Sequence, residues 1–414
     1  MEKDKTLTTA LTRVTVLDAL RGFALLGVII MHMLQHYSIS TGPETEELKP
    51  LFPVADEIIG WVGRNIISGK FINIFAFLFG LSFFIQMDRA AQKGIDFRKR
   101  FVWRMIILLI IGQIGNMFYS GEIISIYAVY GVLLVLVYSV RSWILLFVFS
   151  LLLLGTPRML QIGYDQLQKS EPAAKEVRSV GNKIRQGSRM TRETEEPSFV
   201  NSVKHNFTNG LNRKLNYQYG LFGRGYLTFA LFILGLVVGR TGYFQNVIMQ
   251  KRKNFLFFTG FVLTYAIITT LVNLYPLNLF GLLRSGEPLP LSSLLILSLT
   301  DIGSVAFSGA MVTGFMLLYE TKGFGKSLEV LSPYGRMGLT NYEVQSVIGC
   351  FLFSTWAFGS YFGRLGATEL FVTGLIVYVI QLLFSKFWLR HYRYGPLEWL
   401  WRSATYLKFQ PLRK

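Results

Sequence analysis

The sequence predicts an all-α polytopic membrane protein of about ten transmembrane helices, with both termini cytoplasmic and one long extracytoplasmic polar loop. Four observations predict it. Of the 414 residues, 51% are hydrophobic and only 16% are charged, against about 25% charged in an average soluble domain. Mean hydropathy is +0.41. Ten apolar runs recur, most of them near the roughly 20 residues that a helix needs to cross a bilayer. Basic and non-basic loops alternate between those runs, as the positive-inside rule requires.

The runs lie at about 16–36, 70–87, 101–118, 122–140, 142–156, 226–243, 255–274, 292–319, 338–358 and 369–389. Lys3, Lys5 and Arg13 precede the first. That run is too long for a signal-peptide core and no small-x-small site follows it, so a retained first span is expected. Pro53 to Ile67 reads as an interfacial or re-entrant piece, because Arg64 and Asn65 break its apolar pattern. Basic loops fall at 88–104, 251–253, 322–336 and from Arg390 onward. The intervening loops, at Glu44–Glu47, Glu122, Tyr275–Pro290 and Gly359–Thr368, are acidic or nearly uncharged. This divides the chain into an N-terminal membrane half (1–156), an extracytoplasmic polar loop (157–225) and a C-terminal membrane half with a cytoplasmic tail (226–414). Long loops cross regardless of charge, so the basicity of 157–225 fits that side. It is either a flexible connector or an acceptor-binding cap with amphipathic helices.

The net charge of +18 reflects topology first. No basic segment stands apart from the spans, so nucleic-acid binding is not expected. The single Cys350 rules out an intrachain disulfide framework and a cysteine zinc site.

Chemistry is concentrated in four clusters. In the first span Arg21 and His32 are eleven residues apart, which is within about 20° of one helix face and about 16 Å along it. An intramembrane Arg and His are expensive enough to suggest function. Asp18 lies three residues from Arg21 on the same side. His36 is one turn beyond His32, but no third ligand is in register, and no metal is expected. The second cluster is Lys70 with Asn73 at the head of an aromatic span, where Lys70 either snorkels or serves a site. The third is Tyr119-Ser-Gly-Glu122, where Glu122 either caps the following helix or orients His32 and polarises an acceptor. In the fourth, Arg336, Thr340, Asn341, Gln345 and Ser346 open the 338–358 span. Asn341 and Gln345 share a face that either glues helices or lines a polar path. No P-loop, dinucleotide-binding glycine fingerprint or nucleophile elbow is present.

Five stretches together resemble the YeiB-like bacterial membrane proteins, also called domain of unknown function 418. They are Leu17-Asp18-Ala-Leu-Arg21-Gly22, Phe75-Ala-Phe-Leu-Phe79-Gly80, Gly121-Glu122-Ile-Ile-Ser-Ile-Tyr127-Ala128, Gly335-Arg336-Met-Gly-Leu-Thr-Asn341-Tyr342-Glu-Val-Gln345-Ser346 and Gly395-Pro396-Leu-Glu398-Trp399-Leu-Trp401-Arg402. That family resembles a branch of the transmembrane acyltransferase superfamily. In its O-acetylases, an Arg and a His at the Arg21/His32 spacing mark the first span. The resemblance implies transfer of an acyl group, acetyl by preference, from cytoplasmic acyl-CoA (acetyl-CoA) to a hydroxyl or amine of an extracytoplasmic glycan, lipid or small molecule. It implies catalytic roles for His32, Arg21, Glu122 and Asn341. Donor-binding roles fall to Arg98, Arg100, Arg104, Arg336, Gln345 and Lys70, although anionic lipid attracts the same cytoplasmic arginines. The setting is a bacterial inner membrane, with the lipid bilayer as partner. A homodimer is a common outcome for such enzymes on symmetry grounds. The competing reading is a transporter or flippase of a small or lipid-linked substrate, since intramembrane Arg, His and Asn suit a pathway too. A non-catalytic membrane assembly factor is the third.

Overall fold

The computed structural model describes residues 2–39, 51–168, 196–245, 250–275 and 290–414. The acidic stretch Glu44–Glu47, the middle of the polar segment and nearly all of the Tyr275–Pro290 loop lie outside the described residues. Among the described residues the architecture is helical throughout. The order is α1 (Glu2–Leu34), α2 (Pro53–Val62), α3 (Lys70–Ala91), α4 (Arg98–Phe118), α5 (Ile124–Val137) and α6 (Ser142–Leu153). Then come α7 (Thr156–Gln168), α8 (Phe199–His205), α9 (Leu211–Tyr219), α10 (Arg224–Arg240), α11 (Lys251–Leu274) and α12 (Leu291–Tyr319). The chain closes with α13 (Lys322–Glu329), α14 (Ser332–Arg336), α15 (Gly338–Phe353), α16 (Gly359–Phe362), α17 (Ala367–His391) and α18 (Pro396–Tyr406).

Six of these helices are long and apolar enough to cross a bilayer, or up to eight if each of two bent pairs counts as one span. This makes the chain a multi-pass membrane protein by helix length and composition. Each of the ten apolar runs falls on a helix, but four of the helices are short, among them α10 with 17 residues. α5 has 14 residues, α6 has 12 and α15 has 16. The fifth run ends earlier than its hydropathy suggests, because Gly155 adopts φ +70 and turns α6 into α7 through 52°. The 53–67 piece is a separate helix followed by a π-turn at Gly63–Ile67. Gly69 then takes φ +76 immediately before α3. A left-handed residue there interrupts the helical ladder, and glycine adopts it without a Cβ penalty.

α1 is the buried axis of the bundle, and α3, α12, α14, α15 and α17 pack around it. Two close approaches set the packing. A Cβ on Gly80 of α3 would lie 2.0 Å from the Phe232 carbonyl oxygen on α10, and one on Gly335 of α14 would lie 1.8 Å from the Asp18 carbonyl oxygen on α1. Small residues let membrane helices meet backbone to backbone where no hydrophobic force drives them together. The second contact brings Arg336 to the Asp18–Arg21 end of α1. Phe79, Tyr127 and Phe232 fill the space between α3, α5 and α10, with ring centroids 4.5 to 5.4 Å apart.

α11 is different in kind. Only 6% of its apolar window is buried, and Phe255, Leu256, Leu263 and Ile267 face outward. Its main neighbour is α12. A helix this apolar on its outer surface is at home in lipid.

Candidate functional site

α1 carries two cavities, one toward each end. The larger, about 750 Å³, is lined by His32, Tyr119, Arg213, Lys214, Arg224 and backbone-exposing glycines such as Gly69 and Gly121. The smaller, about 320 Å³, holds Arg21, Arg104, Arg336, Gln86 and Trp401 against walls of Phe75, Phe79, Phe83 and Leu108. Val28, Ile72 and Ile123 line both. Those three side chains form an apolar waist between an arginine-rich chamber and a histidine chamber, and the common helix face of Arg21 and His32 is what aligns the two.

At the Arg21 end, the guanidinium pairs with Asp18 and donates from Nη2 to Ser82 Oγ at 2.7 Å. Arg104 lies over the Trp401 ring, 3.7 Å from its centroid, while Trp401 Nε1 donates to the Arg104 carbonyl at 2.8 Å. A cation over an indole face is held in place without losing its charge. The Arg104 Nε meets no described hydrogen-bond partner. Glu398 caps α15 by accepting from the Leu339 and Thr340 backbone N–H groups at 2.8 and 3.0 Å. Arg336 is exposed at the rim and reaches the Arg393 carbonyl at 3.4 Å. Arg21, Arg104 and Arg336 thus converge from α1, α4 and α14. Arg98 and Arg100 stand outside this chamber. Backbone and side-chain hydrogen bonds from Arg98 hold the exposed Asp96 carboxyl below its usual range, and Arg100 lies 5.2 Å from the Tyr406 ring centroid.

At the other end, His32 is packed by three tyrosines. Its ring centroid lies 5.0 Å from Tyr119, 5.1 Å from Tyr37 and 6.3 Å from Tyr342. Tyr37 is held by an unusual turn, since His36, Tyr37 and Ser38 all have φ between 50 and 53. Left-handed conformations cost L-residues roughly 1–2 kcal/mol each. Here the turn places the Tyr37 ring, 0% exposed, between His32 and Phe353. His32 Nδ1 and Tyr37 Oη are buried, and no described group hydrogen-bonds to either.

Glu122 does not reach His32. It is fully buried, forms an ion pair with Lys214 of α9, and accepts the Ser125 backbone N–H at 3.0 Å. The same carboxylate therefore caps the start of α5 and ties the polar segment to the bundle. Asn341 and Gln345 line neither cavity. Asn341 donates to the Tyr334 carbonyl and to Ser385 Oγ, both at 3.0 Å. Gln345 donates to Tyr334 Oη at 2.5 Å and to Gln381 at 3.3 Å. They join α14, α15 and α17. Lys70 begins α3 and its carbonyl accepts from Ser308 Oγ at 3.0 Å; its side chain lines neither chamber.

Residues from the polar segment are the contribution that sequence spacing does not reveal. Gly210 through Leu221 cover the His32 chamber, and Asn206 anchors them by donating to the Met117 carbonyl at 3.1 Å. Arg224 donates from Nη2 to Asn73 Oδ1 at 2.8 Å. Arg158 pairs with Asp301 at 3.1 Å and reaches the Leu221 carbonyl at 3.4 Å. The available signal was local: Arg213-Lys214 and Arg224 are interleaved with Tyr217, Tyr219 and Phe222 in an otherwise polar stretch.

Fold and site together define a multi-pass helical membrane protein with two chambers meeting at one apolar waist. Residues 238–408 match the family model described as "Protein of unknown function (DUF418)", and this match and the relatives below are consistent with a YeiB-like DUF418 protein. It is 28% identical to the uncharacterized protein YxaH of Bacillus subtilis (strain 168), over 97% of this chain and 96% of that one. It is 26% identical to an uncharacterized 39.9 kDa protein of Bacillus acidopullulyticus, with the same coverage. YeiB of Escherichia coli (strain K12) is 41% identical over 80 residues, 19% of this chain and 20% of that one. No solved structure matches the chain.

Proposed function

We propose that the protein is a transmembrane acyltransferase that moves an acyl group, acetyl by preference, from cytoplasmic acyl-CoA to a hydroxyl or amine of an extracytoplasmic acceptor. It sits in a bacterial cytoplasmic membrane with ten spans and both termini inside, so the arginine chamber opens to the cytoplasm and the His32 chamber to the outside. One observation carries this reading. The Arg21–Arg104–Arg336 chamber and the His32 chamber abut at Val28, Ile72 and Ile123, so donor and acceptor can arrive from opposite faces and meet.

The residues suit the chemistry. Arginine is well matched to phosphate oxygens, and Arg104 keeps Nε available for one. The aromatic walls of the smaller chamber suit a pantetheine arm and its acyl end, with the nucleotide left at the mouth beside Arg336. His32 takes the proton of the acceptor hydroxyl or amine as that group attacks the thioester carbonyl carbon. The carbon–sulfur bond breaks, and the imidazolium returns the proton to the departing CoA thiolate. Packing against tyrosine rings, rather than a carboxylate, fixes the imidazole.

The test is acetyl-CoA binding and slow thioester hydrolysis by detergent-purified protein, wild type against His32→Ala. Saturable binding in both, with turnover only in the wild type, is the expected result. Absence of binding at millimolar acetyl-CoA overturns the proposal. The abutting chambers also suit a transporter or flippase, and substrate flux into liposomes without covalent change would establish that reading instead.

A further inference from the structure

We infer that the His32 chamber recognises a phosphate-bearing acceptor, held by Arg213 and Arg224. This deepens the acyl-transfer reading by naming the acceptor class, but the binding itself does not depend on transfer.

The inference rests on the charge lining the chamber. Arg213, Lys214 and Arg224 line it, and among the described residues no Asp or Glu does. Lys214 is neutralised by Glu122 behind it. The nearby Arg158 is likewise matched by Asp301. Neither Arg213 nor Arg224 forms a direct ion pair with a carboxylate among the described residues; Asp301, bonded to Arg158, acts on Arg224 only at longer range. Arg224 is held only through Nη2, by the neutral Asn73 side chain and the Gly69 carbonyl at 3.3 Å. That grip orients the guanidinium and leaves its other nitrogens for a ligand. Arg213 makes no described hydrogen bond and is exposed on α9. The chain thus holds two guanidiniums with no carboxylate bonded to them among the described residues, both lining a chamber of about 750 Å³. A half-buried cation such as Arg224 is costly unless an anion meets it, and two guanidiniums together fit the several oxygens of a phosphate.

Tyr217 and Phe222 also line the chamber, with ring centroids 5.6 Å apart. They offer an apolar surface beside the two arginines, where the non-phosphate part of an acceptor can lie. His32 lines the same chamber. An acceptor held by its phosphate therefore presents its hydroxyls or amines to the imidazole.

A phosphate can reach this chamber on a soluble molecule or on a lipid headgroup, and the test has an arm for each. Detergent-purified full-length protein is titrated with glycerol 3-phosphate and, in parallel, with glycerol. Separately, the protein in phosphatidylcholine nanodiscs is assayed for retention of phosphatidylglycerol. Arg213→Gln and Arg224→Gln are compared with Arg98→Gln, which lies outside both chambers. The expected result is saturable binding of one phosphate probe, none of glycerol, and weakening by about tenfold or more in each chamber variant. Arg98→Gln should bind as the wild type does. Arg213 is exposed, so its variant keeps the test valid even if Arg224→Gln folds poorly. Glycerol 3-phosphate binding identifies a soluble acceptor, and phosphatidylglycerol retention alone identifies a lipid headgroup. Binding of neither probe, or binding that Arg213→Gln leaves unchanged, overturns the inference. The binding test contains no acyl-CoA, so phosphate binding by a protein that shows no turnover in the separate acetyl-CoA assay would sink the transfer reading and leave this one standing.

Discussion

At one end of α1, Asp18 and Arg21 form an ion pair that Ser82 completes; at the other, His32 and Tyr37 keep buried polar atoms that no described group meets. The two ends are built on one helix face, yet only at the first does the α1 side-chain pair itself satisfy its polar groups. An unsatisfied buried polar atom costs about 1–3 kcal/mol, and the left-handed turn that places Tyr37 adds strain of similar size. Such costs concentrate where function maintains them. The Arg21 end therefore reads as a finished anchor, and the His32 end as a site completed by what enters it.

The largest effect expected from breaking this contrast is at His32. His32→Ala should lower acyl turnover by about 10²–10⁴-fold, the usual worth of a positioned general base, while acetyl-CoA affinity stays within a factor of two or so. Loss of affinity in step with turnover would mean that the two chambers do not divide the work. Next comes the ion pair that roofs the His32 chamber. Glu122→Ala leaves Lys214 buried and unpaired, which should cost about 3–5 kcal/mol, read as a lowered midpoint in thermal unfolding. The double variant Glu122→Ala/Lys214→Ala should recover part of that loss. An unchanged midpoint in the single variant would show that the pair does not tie the polar segment down.

Smaller effects are expected at the finished end. Arg104→Ala should weaken acetyl-CoA binding about tenfold, and Arg98→Ala should not weaken it, because Arg98 is engaged with Asp96 outside the chamber. Equal effects would move the donor site to the exposed arginines of the 88–104 stretch as a group. Smallest of all, Ser82→Ala removes one hydrogen bond from Arg21 and should cost about 1 kcal/mol in stability. A much larger loss would mean that the Asp18–Arg21 pair cannot stand alone.

Much of this was legible in the sequence because helices are local. Each apolar run falls on a helix, and the eleven-residue step from Arg21 to His32 lines up the two chambers through helix pitch alone. Hydropathy could not show that Gly155 turns the chain after a short α6, because a φ angle leaves no trace in an apolar average. Nor could local pattern distinguish Arg104, which α4 delivers to Trp401 near the C-terminus, from Arg98 and Arg100 in the same basic run. Asn341 and Gln345 were equally readable as pathway or glue, and the structure spends them between α14 and α17. The Glu122–Lys214 pair joins residues 92 apart, and only tertiary packing reveals it. The same holds for Arg213 and Arg224.

The central claim is that the two chambers open to opposite faces of the membrane. Since Cys350 is the single cysteine and is buried, a Cys350→Ser background permits a direct measurement. Gln35→Cys reports from the His32 chamber and Gln86→Cys from the arginine chamber, each treated with a membrane-impermeant maleimide on intact cells and on inverted vesicles. Labelling of Gln35→Cys only in cells and of Gln86→Cys only in inverted vesicles is the expected result. Labelling of both from the same side would contradict the claim.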